Sequence, residues 1–142
     1  MSMDQDCIFC KIIQGEIPSA KVYEDEEVFA FLDISQVTKG HTLIIPKKHV
    51  ENIYETNEEI ASSLFARVPK IANALKKAYQ PAGINILNNN GKAAGQTVFH
   101  IHIHLIPRYD ESDGYDANWT TNGEAYTSDD LAEIANKIAA EL

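Results

Sequence analysis

The sequence predicts an α+β domain: a mainly antiparallel sheet of about five strands, with one long helix and a C-terminal helix. Three observations point there. Short apolar runs follow one another closely between residues 20 and 46 with no helix between them, which suits antiparallel hairpins better than parallel crossovers. A segment with helical spacing comes next. A second group of strand-like runs leads to residue 106, and a last amphipathic segment closes the chain.

In chain order, a short Cys-containing turn precedes strand-like runs at Ala20–Tyr23 and Val28–Leu32, separated by the acidic stretch Glu24–Glu27. Residues 33–40 read as a loop, and His41–Pro46 as a third strand. Thr56-Asn-Glu-Glu59 has the form of a capping box, after which Ile60, Leu64, Phe65, Val68, Ile71, Ala72 and Leu75 recur at helical spacing. Pro69 inside that pattern removes a hydrogen bond and predicts a kink or break. Gly83 ends the segment, and Ile84–Asn88 is a fourth strand. A turn-rich loop runs to Gly95, and Val98–Ile106 is the strongest strand signal in the chain. The last helix begins at Thr127, with Asp130 in its first turn and Leu131, Ile134, Ala135 and Ile138 on one stripe. The whole reads as a single domain over residues 1–142, with an irregular tail and terminal helix from about residue 108.

The 142 residues suffice for one buried core, and 44% hydrophobic with 23% charged residues is ordinary for a globular domain. No apolar run is long enough to span a membrane, and the acidic N-terminus has no signal-peptide character. The expected setting is therefore the cytoplasm, where Asn118-Trp119-Thr120 carries no meaning as a glycosylation acceptor. A net charge of −9 repels polyanions and argues against general nucleic-acid binding. A small phosphate ligand held by local N–H groups remains compatible with it. The two cysteines, Cys7 and Cys10, are too few to staple the chain, and zinc or redox chemistry stays open for them.

The informative segment is His100-Ile-His-Ile-His-Leu-Ile-Pro-Arg108. In an extended chain His100, His102 and His104 share one face, while Ile101, Ile103 and Leu105 share the other. Three imidazoles make a poor core face, so the apolar side should pack on the helices and leave the histidines facing a cleft.

The run His-apolar-His-apolar-His-apolar-apolar over residues 100–106 resembles the signature of the histidine triad (HIT) family. Cys7-Ile-Phe-Cys-Lys-Ile12, Phe31-Leu-Asp-Ile34, Gly40-His-Thr-Leu-Ile-Ile-Pro46 and Gly95-Gln-Thr97 are similar to family segments in the same order. The resemblance implies catalytic roles for His100, His102 and His104, with His102 attacking an α-phosphorus to give a nucleotidylated histidine that water resolves. A neutral imidazole is nucleophilic near pH 7, and such an intermediate divides one hard displacement into two easier ones. His104 would donate a hydrogen bond where charge develops. The partner that fixes the His102 tautomer would be a backbone carbonyl.

By position, the resemblance gives Asp33 the ribose hydroxyls, Asn89 a phosphate or nucleoside contact, and Gln96 and Thr97 the phosphate oxygens. It makes His41 a buried histidine behind the triad. Ile8, Phe9 and Val22 would line the base pocket. It also implies a structural zinc ion on Cys7, Cys10, His49 and His100, closed to water and not required for the chemistry. Lys47 and Lys48 read as a solvated strand end. The implied substrate is an adenosine or guanosine phosphate derivative, most simply a purine nucleoside phosphoramidate, and the implied assembly a homodimer. Three rival readings stay open: a dinucleoside polyphosphate hydrolase, a metalloenzyme using the triad as ligands, and a regulatory nucleotide-binding module with little turnover.

Overall fold

A computed structural model describes residues 4–142; residues 1–3, part of the acidic N-terminal stretch, lie outside the described residues. Five strands form one antiparallel sheet in the order β1-β2-β3-β5-β4, where β1 is Lys21–Glu24, β2 Val28–Leu32, β3 Thr42–Pro46, β4 Gly83–Leu87 and β5 Ile103–Arg108. Helix α1, Ile8–Ile13, covers one face; α2, Glu58–Ala66, and α3, Val68–Tyr79, cover the other. Helix α4, Ser128–Ala139, ends the chain. The predicted α+β class and strand count hold, and among the described residues no helix is long and apolar enough to cross a membrane.

Both faces of the central strands are buried, which explains why β2 and β3 read as continuous apolar runs. Val28, Ala30, Ile44, Ile101, Ile103 and Leu105 pack beneath Leu64, Ile71 and Leu75 of the helical layer. On the opposite face Phe29, Phe31, Leu43 and Ile45 meet Phe9, Cys10 and Ile12 of α1. Alternation along β2, β3 and the histidine segment thus builds two cores from one sheet.

Several boundaries depart from the sequence reading. The Cys-containing turn is helical: Cys7 is the N-cap of α1, and its sulfur accepts from the Cys10 amide at 3.4 Å. The cap of α2 is Asn57, whose side chain accepts from the Ile60 amide, one residue later than the proposed box at Thr56. Thr56 instead bonds back to the Asn52 carbonyl. The break predicted at Pro69 is real, with α2 ending at Ala66 and Pro69 in the first turn of α3, where no amide donor is needed. Helix α3 is closed by Gln80 in the left-handed conformation (φ 53°), while Gly83 already belongs to β4.

The largest difference lies in Val98–Ile106. Only Ile103 onward joins the ladder. Residues 98–102 stand off it, held by single bonds: Ile101 donates to the Val50 carbonyl at 2.8 Å, and the Asn88 side chain donates to the His102 carbonyl at 2.9 Å. The alternation nevertheless survives, with Ile101, Ile103 and Leu105 in the helical core and the three histidines on the α1 side.

Candidate active site and metal centre

The histidines lie at the join between the irregular segment and β5, where α1 and the loop after β2 leave a cleft of about 400 Å³. His102 and His104 line it, together with Asp33, Thr97, Phe9 and Ile8. Phe9 meets the His102 ring edge-on at 5.1 Å between centroids, which fixes the plane of that imidazole.

Each tautomer follows from its partners. His102 Nδ1 is 2.8 Å from the His100 carbonyl, which can only accept, so Nδ1 carries the proton and Nε2 keeps its lone pair. That carbonyl is the partner the resemblance called for. His41 Nδ1 accepts from the Val37 amide at 3.2 Å, so its proton sits on Nε2 and points at His104 Nδ1, 2.9 Å away. His104 must then hold its own proton on Nε2. The result is a bare nucleophilic nitrogen on His102 beside an N–H donor on His104, their rings 5.0 Å apart.

Burial keeps these groups neutral. It lowers His102 below its ordinary 6.5 against the opposing pull of the His100 carbonyl and Asp33. It pushes His104 down to about 4, and repulsion from His102 and His41 adds to the effect. His41 is lowered by burial too, offset by the Asp33 charge.

The supporting residues divide. Asp33 lines the cleft; its Oδ1 caps a turn by accepting from the Ser35 amide, and its Oδ2 lies 3.6 Å from His41 Nε2. Thr97 lines the cleft as anticipated. Gln96 is placed differently: its amide donates to the Glu51 and Val98 carbonyls and accepts from the Gly91 amide, so its side chain closes the loop. Asn89 sits against Gly95, outside the residues lining the cleft. Val22 lies on β1 in a separate groove with Lys21 and Tyr23, and Ile17 and Ile34 take its place in the cleft wall.

Sequence reasoning missed Asn88. Asn90 donates to its Oδ1 at 2.6 Å, and Asn88 donates to the His102 carbonyl, so the two amides hold the His102 backbone from the β4 side. The Asn88-Asn-Asn90 run was the available signal, but composition does not tell which amide faces which strand.

His100 leaves the cleft. Its Nε2–H donates to the Pro46 carbonyl at 2.8 Å, and its Nδ1 faces Cys7 Sγ (3.5 Å), Cys10 Sγ (3.6 Å) and His49 Nδ1 (3.2 Å). These four donor atoms lie within 4.8 Å of one another. Tetrahedral zinc with N and S ligands requires neighbouring donors about 3.3–3.8 Å apart, which these contacts approach. His49 turns Nε2 towards Asp4 Oδ2 at 3.8 Å, leaving its Nδ1 for an ion. His49 Nδ1 and His100 Nδ1, 3.2 Å apart, are close enough to share either a proton or a metal cation. Burial pushes the Cys10 thiol up to about 11, so metal uptake there must displace a proton. The donor set fits a closed zinc site, and an ion held there would tie α1 to the sheet.

His102 belongs to neither cluster of possible ligands among the described residues; Asp33, His41 and His104 form the other. The hydrogen bond from His41 to His104 satisfies that second group without an ion.

The fold and site define a class: an open five-stranded antiparallel sheet presenting a neutral imidazole with a bare nitrogen, backed by a second histidine pair, over a cleft roofed by one short helix. The HIT domain family model matches residues 14–111, and the chain belongs to that family. It is 58% identical to the protein hit of Bacillus subtilis (strain 168) over 142 residues, all of this chain and 98% of that one. It is 39% identical over 146 residues to an adenosine 5'-monophosphoramidase of Candida albicans, covering all of this chain and 95% of the other. The crystal structure of a HIT family protein from Bacillus anthracis superposes with TM-score 0.94 at 59% identity, over 97% of this chain and 98% of that one. A Zn-bound histidine triad family protein from Mycobacterium smegmatis superposes with TM-score 0.74 at 35% identity, over 96% and 98%.

Proposed function

We propose that the protein hydrolyses nucleoside 5'-phosphoramidates, with purine nucleosides preferred. His102 Nε2 attacks the α-phosphorus and displaces the amine, and water then attacks the nucleotidyl-histidine to release the nucleoside monophosphate. The observation that carries the reading is the fixed pair of tautomers, with a lone pair on His102 Nε2 and a proton on His104 Nε2, side by side on one cleft. The His104 Nε2–H hydrogen-bonds to the leaving nitrogen, which takes a proton from cleft water and departs as a neutral amine; the hydroxide equivalent left behind resolves the nucleotidyl-histidine. The similarity to an adenosine 5'-monophosphoramidase along the full chain supports the choice of phosphoramidate.

Phe9, Ile8 and Ile17 offer an apolar sandwich for a base. Asp33 Oδ2 accepts from ribose hydroxyls, while Thr97 and the loop amides around it take the phosphate oxygens. Zinc is structural in this scheme and performs no chemistry. The active form is a homodimer in the cytoplasm.

The test is intact mass after rapid quenching with an adenosine phosphoramidate, beside His102→Ala. The parent is expected to gain one adenylyl group and the variant none, with turnover down by at least ~10³-fold. Turnover that survives in the variant would overturn the covalent route. Labelling by a dinucleoside polyphosphate but not by the phosphoramidate would keep the nucleophile and replace the substrate.

A further inference from the structure

His100 serves both sites at once. Its ring contributes Nδ1 to the Cys7, Cys10 and His49 cluster and anchors Nε2 on Pro46, while its carbonyl receives the Nδ1 proton of His102. The His102 tautomer is therefore set by the backbone of a residue whose side chain is a ligand. The helix carrying Cys10 also carries Phe9, whose ring stands edge-on to His100 at 5.9 Å and to His102 at 5.1 Å.

Residues 98–102 have no strand ladder to hold them. The ring contacts of His100, the Ile101 N–H bond to the Val50 carbonyl and the amide of Asn88 orient this stretch. A metal joining residue 100 to residues 7, 10 and 49 clamps sequence separations of 93, 90 and 51 residues at one point.

We propose that the four-ligand centre is a positioning device for the nucleophile: metal held by Cys7, Cys10, His49 and His100 fixes the His100 carbonyl and the Phe9 ring, and through them the orientation and tautomer of His102. His100, Cys10 and Phe9 are positioning residues in this scheme. The kinetic consequence rests on the nucleophile assigned above; the tautomeric one does not.

The experiment uses the full chain, zinc-loaded, then stripped with a chelator, then reloaded, beside His49→Gln, which alters one ligand remote from the cleft. Zinc content is measured together with long-range imidazole ¹H–¹⁵N spectra, methyl signals of Ile103 and Leu105 from the opposite core, and the adduct-forming rate with its KM. Loaded protein is expected to show His102 as a single Nδ1–H tautomer. Stripping should mix the tautomers and lower the adduct rate by about 10–100-fold, with KM little changed and the methyl signals in place. Reloading should restore both, and His49→Gln should follow its own zinc occupancy. The proposal is overturned if the protein takes up no zinc, or if stripping leaves the His102 spectrum unchanged. It is equally overturned if the spectrum changes only as the Ile103 and Leu105 signals collapse, because the metal would then be merely structural. A zinc-dependent tautomer with no nucleotidyl adduct would sink the proposed reaction and leave the positioning role standing.

Discussion

The body of the molecule, residues 4–108, and its tail, residues 109–142, are built by opposite rules. The body buries the apolar side of nearly every element, with Val28, Ile44, Ile103 and Leu105 at 0% exposure. In the tail every residue from 116 onward is exposed, and α4 carries Leu131, Ile134 and Ile138 at 41–63% exposure. Charge divides the same way. Residues 109–142 hold nine of the 21 acidic residues and one of the 12 basic ones, a net −8 against −1 for residues 1–108. The overall acidity is a property of the appendage, and it says little about what the cleft attracts.

The lesson is that patterning predicts an element, and packing decides its worth. Helix α4 has a complete capping box, with Thr127 and Asp130 each bonding the other's backbone, and an apolar stripe at helical spacing. A twelve-residue helix with no packed face is marginal in water, so this stripe calls for another surface. A second copy of the chain, as proposed for the active form, would supply one.

The sharpest way to break the contrast is a matched pair of truncations. Leu105→Ala is expected to cost about 3 kcal/mol of unfolding free energy at any protein concentration. Ile134→Ala should cost less than about 0.5 kcal/mol at high dilution. If α4 packs on a second copy, the Ile134→Ala cost will rise with concentration, and urea melts at two concentrations beside sedimentation will show it. A flat response would free α4 from that role.

Arg108 is the hinge between the regions. Its guanidinium donates to Asp113 at 2.7 Å and to Asn85 of β4 at 2.9 Å, and it lies over the Tyr115 ring. Arg108→Ala should cost about 1–3 kcal/mol and raise hydrogen exchange in residues 109–115 before any change in the cleft.

Acid should separate the regions more gently. His104 titrates near 4 in the folded chain against 6.5 when unfolded, so below 6.5 the unfolded state binds the extra proton. Body stability should therefore decline as pH falls from 6.5 to about 4, and His104→Gln should remove its share of that slope while the lowered His41 and His102 keep theirs. Asp130 is held below its ordinary 3.8 by the Thr127 amide and hydroxyl, so the cap of α4 keeps its contribution above 3.8 and loses it only in stronger acid. Circular dichroism of α4 unchanged while the urea midpoint falls over pH 6.5–4 is the expected pattern.

The two regions also differ in how much the sequence disclosed. The strands of the body were legible because both their faces are apolar, and the triad because its alternation survives the loss of the ladder at residues 98–102. Helix α1 was not, because six residues capped by a cysteine carry no periodicity. The cap of α2 slipped by one residue because Thr56 and Asn57 are both good caps and only tertiary contacts choose between them. Gln96 and Asn88 exchanged importance for a similar reason: an amide has the same chemistry whether it meets a ligand or a carbonyl. In the tail the helix was legible and its partner was not.

The path through His41 ends at a backbone amide. Val37 N–H can give nothing further to His41 Nδ1, so only the His104 Nε2–H faces the cleft and no proton can be supplied from the inward side. In the reaction proposed above, the proton that the leaving group takes must therefore enter from the cleft, with the water that also resolves the covalent intermediate. On the proposed chemistry, an acceptor that carries no proton would strand the enzyme half-way through its cycle.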